Sequence, residues 1–273
     1  MRKILTYSIG ELMEYINWPY FFHAWGLNGN SDHEQERMRT EAEAVLHDYD
    51  DKYRVHALFS LCDANGDGDD IVICGGLRIP MLRQQHPSED GCPMLCLADY
   101  LRPLDSGIPD RLGLFATSVD AAMESDSRDD VYRHMMCQTL ADRLAEAAAE
   151  RLHYEVRTRY WGYASGEECC IHRMLAGDYQ GIRPAIGYPS LPDVSINFIL
   201  SDQLGMKDIG IRLTESGMMT PHASVSGFMF AHPAARYFDL GKIGEDQLHD
   251  YARRRSVPVS LMRRFLESSL TRQ

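Results

Sequence analysis

Long apolar runs are missing from this 273-residue chain. No stretch approaches the roughly 18 apolar residues that a membrane-spanning helix needs, so no membrane partner is expected. The opening M-R-K-I-L-T-Y-S-I-G-E-L has a basic start but lacks the apolar core of a secretory signal. Seven cysteines, an odd number, then read as free thiols of a reduced, cytoplasmic protein. Positive charge is also short. Lys and Arg number 28 against 40 Asp and Glu, a formal net charge of −12. A field of that sign repels phosphate backbones and argues against a nucleic-acid partner. Repeats, low-complexity tracts and Gly/Ser linkers are absent too, so residues 1–273 read as one domain. There is no Walker loop, no G-x-G-x-x-G after a strand, no H-E-x-x-H and no G-x-S-x-G elbow. What is present is ordinary for a soluble globular chain: 44% hydrophobic and 25% charged residues, with length enough to bury a core.

One stretch imitates a motif. D-A-N-G-D-G-D-D, Asp63 to Asp70, sets Asp63, Asn65 and Asp67 at positions one, three and five of a calcium loop, with Gly68 in the glycine slot. The twelfth position, which needs a bidentate Glu, is Cys74. The flanks V-H-A-L-F-S-L and I-V-I-C are strand-like rather than helical. The cluster therefore reads as a hairpin tip, where Asn and Gly tolerate positive φ. Cys92 and Cys96, and Cys169-Cys170-x-His172, have a metal-like look. A structural zinc site takes four ligands in closed geometry, and spacing does not join these two groups, so no metal is expected.

Periodicity places the helices. S-I-G-E-L-M-E-Y-I-N-W reads as a short helix with Ser8 as N-cap and Glu11 completing a capping box. A second helix is expected from about Ser31 to Tyr49. Residues from about Val55 to Phe115 are rich in strands and turns. The strongest helix runs from about Asp129 to Tyr160, roughly 45 Å long. Leu140, Leu144, Ala148 and Leu152 mark its buried stripe. Strand-like runs follow at Ile209–Leu213 and Ala223–Phe230, then two terminal helices, the second starting at Pro258. Helices at both ends and in the middle, with hairpin strands between, indicate an α+β fold with an antiparallel sheet.

The most unusual segment is Y-Q-G-I-R-P-A-I-G-Y-P-S-L-P-D, Tyr179 to Asp193. Prolines stiffen it, and Gly181 and Gly187 allow sharp turns or close approach to a ligand. Arg183 offers a planar fork of donors for a carboxylate, and Tyr188 a ring face and a hydroxyl. The residues alone support two readings evenly: a preorganised small-molecule site, or a structural crossover whose arginine makes a salt bridge.

Y-Q-G-I-R-P-A-I-G-Y-P resembles the R-x-x-x-G-Y region of the activation domain of cobalamin-dependent methionine synthase. Further segments resemble that family in order along the chain: I-N-W-P-Y-F-F-H-A-W, L-R-Q-Q with C-L-A-D-Y, A-D-R-L-A-E-A-A-A-E-R-L-H, Y-W-G-Y-A, G-M-K-x-x-x-I-R-L-T-E-S, A-S-V-S-G-F and D-Y-A-R-R-R. The resemblance runs from about Ile9 to Leu266. It implies a single C-shaped α+β domain around a long, twisted antiparallel sheet flanked by helices. It also implies S-adenosyl-L-methionine (AdoMet) in a shallow groove, and reductive methylation of oxidised cobalamin with an electron from a flavodoxin-like donor. Arg183 matches the arginine that pairs with the methionyl carboxylate. Ala185, Gly187 and Tyr188 match the loop lining the ligand. Glu146 matches an acid near it, although on the residues alone it reads as a solvated helix face. Tyr237 and Phe238 match a tyrosine pair at the nucleoside end.

Two positions depart from the family. Asn17 stands where the family has an Asp that contacts AdoMet, which keeps an acceptor but loses the charge. Phe238 lacks the second hydroxyl. The D-x-H-x-x-G signature of cobalamin-binding modules is also missing, and Met1 begins just before the first motif. The cobalamin is therefore expected on a separate methionine synthase module or related corrinoid methyltransferase, met in trans. A tether would supply about millimolar effective concentration that a free chain lacks. With no catalytic set of its own, the chain would be a non-autonomous part of a methyltransferase activity. The other reading, motivated by Asn17, is a non-catalytic metabolite sensor or docking protein that keeps the fold.

Overall fold

The computed structural model describes residues 1–27, 29, 31–86, 91 and 93–271. In chain order the elements are β1 (Arg2–Tyr7), α1 (Trp18–Ala24), α2 (Asp32–Tyr49), β2 (Val55–Asp67), β3 (Asp70–Ile73), β4 (Leu77–Pro80), β5 (Asp110–Val119), α3 (Ala121–Glu124) and α4 (Val131–Glu155). Then come α5 (Ile171–Leu175), α6 (Ile196–Leu204), β6 (Arg212–Leu213), β7 (Met219–Thr220), β8 (Ser224–Met229), α7 (Glu245–Arg254) and α8 (Val259–Phe265).

β2 organises the sheet because its 13 residues outrun any neighbour. One edge pairs β5 from Val55 to Ala64. The other edge is shared: β1 covers Val55–Ser60, and β3 covers Ala64–Asp67. The order is β4-β3-β2-β5-β8 with β1 beside β2, all antiparallel. This is the expected α+β architecture, with the sheet curled into a half-barrel flanked by helices. The two-residue side-chain period sorts the faces. Val55, Ala57, Phe59, Phe115 and Val119 pack with α2 and α4 in one core. Leu58, Leu112, Leu114 and Ala116 pack with α6 in a second. A third, smaller cluster lies between α7 and α8.

α4 follows the sequence expectation closely. Asp130 is its N-cap, accepting from the Arg133 amide at 3.0 Å, and Leu140, Leu144, Ala148 and Leu152 are all fully buried. It ends at Glu155, though, and Val156–Tyr160 continue as a wider π turn. α2 begins one residue after Ser31, as read. The Asp63–Asp70 stretch is a hairpin in which Asp67 pairs Asp70 and Gly68 turns at φ +59. Its acids meet arginines: Asp67 with Arg78 at 2.6 Å, Asp69 with Arg83 at 2.7 Å and Asp70 with Arg254 at 2.5 Å. Cys92 lies outside the described residues. Among those described, no three His, Cys, Asp or Glu gather as a metal site, and no helix is long and apolar enough to cross a membrane.

Two expectations need correction, and one strand was missed. β1 was not read from the sequence. The segment read as a helix over 8–18 is a turn with a 3-10 stretch at Met13–Tyr15, and helix begins only at Trp18. Its capping box is real, with the Ser8 amide on Glu11 Oε2 at 2.9 Å and the Glu11 amide on Ser8 Oγ at 3.2 Å. A helix running on would drive the Pro19 ring into the Tyr15 carbonyl, so the chain extends at Ile16 and restarts as α1. Ile209 belongs to the 3-10 turn Met206–Ile209, leaving only Arg212–Leu213 as strand.

Candidate functional site

The 179–193 segment takes its shape from β8. Ile182 and Phe230 exchange both backbone hydrogen bonds at 3.0 Å, the Phe228 amide bonds Pro184 O at 3.1 Å, and the Ile186 amide bonds Ser226 O at 2.8 Å. The loop thus lies along the sheet edge like a further strand. The approach is so close that a Cβ on Gly227 would stand 2.1 Å from Pro184 O. The far end of the segment is pinned by Asp193, which accepts from Tyr251 Oη at 2.7 Å and Arg255 Nη1 at 2.8 Å.

Between this loop and α4 opens a groove of about 630 Å³. Arg143, Glu146 and Glu150, spaced three and four residues apart, share one face of α4 and form a wall. Arg183, Pro184, Ala185 and Tyr188 come from the loop, Tyr15, Asn17 and Tyr20 from the start of α1 and the turn before it, and Tyr237, Phe238 and Asp239 from the opposite rim. Residues 174–177 close the remaining side.

Arg183 is the charged centre. Its side chain is 7% exposed, with Nη2 2.6 Å from Glu150 Oε1 and 3.7 Å from Glu146 Oε2. Burial alone would lower its pKa, but Glu150 and Glu146 outweigh that and raise it, so the guanidinium stays charged. Its guanidinium sits over the Phe115 ring at 5.5 Å, and its backbone amide donates to Tyr237 Oη at 2.9 Å. The Tyr188 hydroxyl donates to Glu146 Oε1. Burial, then the Glu146 charge, push the Tyr188 phenol up, which keeps it a protonated donor. The Tyr179 ring, itself part of the lining, carries the fully buried Arg157 guanidinium at 3.9 Å. Arg157 is held by both oxygens of Glu167, at 3.0 and 2.5 Å. His153, also fully buried, has its pKa lowered by burial and then by Arg157 and Arg183, and stays neutral.

Seven of the eight residues singled out from the sequence line this one groove: Asn17, Glu146, Arg183, Ala185, Tyr188, Tyr237 and Phe238. Gly187 does not. It turns the loop at φ +90 and bonds Leu191 O at 2.8 Å, so its contribution is the path of the chain. Asn17 is the N-cap of α1, yet its side chain makes no capping bond. Phe238 is buried, while Tyr188 and Tyr237 are half exposed. The sequence reading missed Glu150, although it stands four residues after Glu146 on a helix. It also missed Tyr179 as a wall, and residues 174–177, which no local signal marks. The charged lining residues are Arg143 and Arg183 on one side of the balance and Glu146, Glu150 and Asp239 on the other. The excess of one negative charge suits a small cation.

Residues 8–256 match the profile of the vitamin B12 dependent methionine synthase activation domain. The chain belongs to this family. Its structure also aligns with a solved one described as the crystal structure of the MetH reactivation domain bound to AdoHcy. The TM-score is 0.93 at 35% sequence identity, over 100% of this activation domain and 91% of that chain. The backbone that carries the groove thus aligns with that relative over the whole of this chain.

Proposed function

We propose that this activation domain binds AdoMet in the groove and presents its methyl group to cobalamin carried by a partner methionine synthase module or related corrinoid methyltransferase. The observation that carries the reading is the convergence of Arg183, Glu146, Tyr188, Tyr237 and Asn17 on one groove, in a chain whose solved relative is described as bound to AdoHcy. In this reading Arg183 receives the methionyl carboxylate, and Glu146, held by Tyr188, faces the ligand's positive charge. Ala185 and Tyr188 line the ligand, Gly187 sets the turn of that loop, and Tyr237 and Phe238 flank the nucleoside. Reduced cobalamin on the partner supplies the nucleophile, with a flavodoxin-like protein as the one-electron donor. Displacement breaks the C–S bond of the methyl group, leaves the electron pair on sulfur and yields neutral S-adenosylhomocysteine. The residues of this chain supply position and charge rather than acid–base groups.

Calorimetric titration of AdoMet, with Arg183→Ala beside it, tests the first half. Binding in the micromolar to submillimolar range, about 5 to 8 kcal/mol, that is weakened about tenfold or more in the variant is the expected result. Transfer of labelled methyl from AdoMet to a corrinoid-loaded methionine synthase module under reducing conditions tests the second half. Asn17 favours one rival, a sensor that keeps the groove without methyl transfer. Binding without transfer would select it.

A further inference from the structure

We infer that Glu150 is a positioning residue: it holds the Arg183 guanidinium for the ligand carboxylate and so keeps Glu146 free for the ligand's positive charge. The inference rests on the AdoMet reading above and adds a residue to it. Glu146 and Glu150 are one helical turn apart on α4, and both point at Arg183, but they are not equivalent. Glu150 takes Nη2 at 2.6 Å, a charge-assisted hydrogen bond, while Glu146 stands at 3.7 Å, outside bonding range. Glu146 instead receives the Tyr188 hydroxyl. Glu150 is the more enclosed of the two, its side chain 19% exposed against 24% for Glu146.

That asymmetry divides the work. A buried guanidinium must have a carboxylate partner. If Glu150 lost its charge, the remaining anion within reach would be Glu146. Arg183 would swing toward it, and the ligand would lose its carboxylate receptor and its anionic wall together. Glu150 prevents that collapse by outcompeting Glu146 for Arg183.

The test compares AdoMet with decarboxylated AdoMet by calorimetry on the full chain, using Glu150→Gln, Glu150→Ala, Arg183→Ala and the double variant Glu150→Gln/Arg183→Ala. The Glu150→Gln change preserves shape and one acceptor oxygen, so that variant is expected to keep the fold, which a thermal melt checks. Wild-type protein should prefer AdoMet by about tenfold or more, the worth of one charge-assisted bond. In Glu150→Gln that preference should fall to about threefold or less, as in Arg183→Ala. The double variant should bind no worse than Arg183→Ala, because Glu150 acts through the arginine. Full preference in Glu150→Gln, additive losses in the double variant, or equal weakening of both ligands with a lowered melting temperature would each overturn the inference. If wild-type protein binds neither ligand, the AdoMet reading itself fails and takes the inference with it.

Discussion

Replacing Asp193 by Ala is the sharpest test of how the loop of the groove is anchored. Asp193 is 1% exposed and sits at the end of the 179–193 segment. One carboxylate oxygen accepts the Ser195 amide at 2.9 Å. The other accepts Tyr251 Oη at 2.7 Å and Arg255 Nη1 at 2.8 Å. The Arg255 side chain is 6% exposed, and its further hydrogen bonds go to Tyr251 Oη at 3.0 Å, Ser195 Oγ at 3.1 Å and Ser195 O at 3.4 Å, all neutral. Asp193→Ala therefore strands a buried cation, which costs about 3–5 kcal/mol. It also strips the acceptor from a fully buried tyrosine hydroxyl, about 1–3 kcal/mol when measured alone. The two losses share one network and will not add, so a net destabilisation of about 4 kcal/mol is expected. At about 2–4 °C per kcal/mol for a chain of this size, the melting temperature should drop by roughly 10 °C. Asp193→Asn can keep the acceptor for Tyr251 and Arg255 but loses the charge and the acceptor of the Ser195 amide, so it should fall between wild type and Ala. Differential scanning calorimetry of the three proteins decides. A melt of Asp193→Ala within about 2 °C of wild type, on the same per-kcal/mol scale, would refute the idea that a buried ion pair pins the loop to α7.

Three further outcomes follow from the geometry. Asn17→Asp returns a carboxylate to the groove and should tighten AdoMet about threefold to tenfold. The gain should shrink as salt is raised, because a partly buried charge still feels screening over about 8 Å at physiological ionic strength. Tyr188→Phe removes the donor to Glu146 from a residue that is 49% exposed. It should leave the melt nearly unchanged and weaken AdoMet by about threefold, the worth of a modest hydrogen bond. Asp126, bonded by Lys52 Nζ at 2.5 Å and Tyr53 Oη at 2.6 Å, is held well below the usual carboxylate range. A depressed native pKa gives stability that is present above the unfolded value of about 3.9 and is lost as the pH falls further, toward the native pKa. Asp126→Asn should therefore melt below wild type at neutral pH, with the gap closing on acidification below about pH 4.

Legibility in the sequence tracked how local each decision was. α4 was readable because its buried stripe and its length both sit within one window. The Asp63–Asp70 hairpin was readable because flanking strands and a Gly turn overruled a partial calcium-loop pattern. β1 was not, because R-K-I-L-T-Y exposes most of its side chains and is defined by its pairing with β2 rather than by any alternation of its own. The helix read over 8–18 failed through Pro19, beyond the capping box that prompted it. For the site, Arg183 and Tyr188 stood out in a stretch dense in Pro and Gly. Glu146, Tyr237 and Asn17 came through family resemblance. Glu150 was open to simple helix spacing, whereas the wall at 174–177 exists only once α5 is packed.

The groove owes its form to residues that bring no functional group to it. Ala145, Ala147, Ala148 and Ala149 are all buried on α4, and such small side chains let the helix lie close enough to the sheet for Thr117 Oγ1 to bond the Ala145 carbonyl at 2.9 Å. On the other side Gly227 lets the Pro184 carbonyl reach the sheet edge, where any Cβ would collide. These two close approaches put the charged face of α4 within hydrogen-bond reach of Arg183. Widening either one by the thickness of a methyl group would break the 2.6 Å contact between Arg183 and Glu150, and a guanidinium buried to 7% exposure has little water to take its place. The A-D-R-L-A-E-A-A-A-E and A-S-V-S-G-F segments are therefore as much a part of the site as the arginine they position. Spacing alone hides this, since alanine and glycine act here through what they leave out.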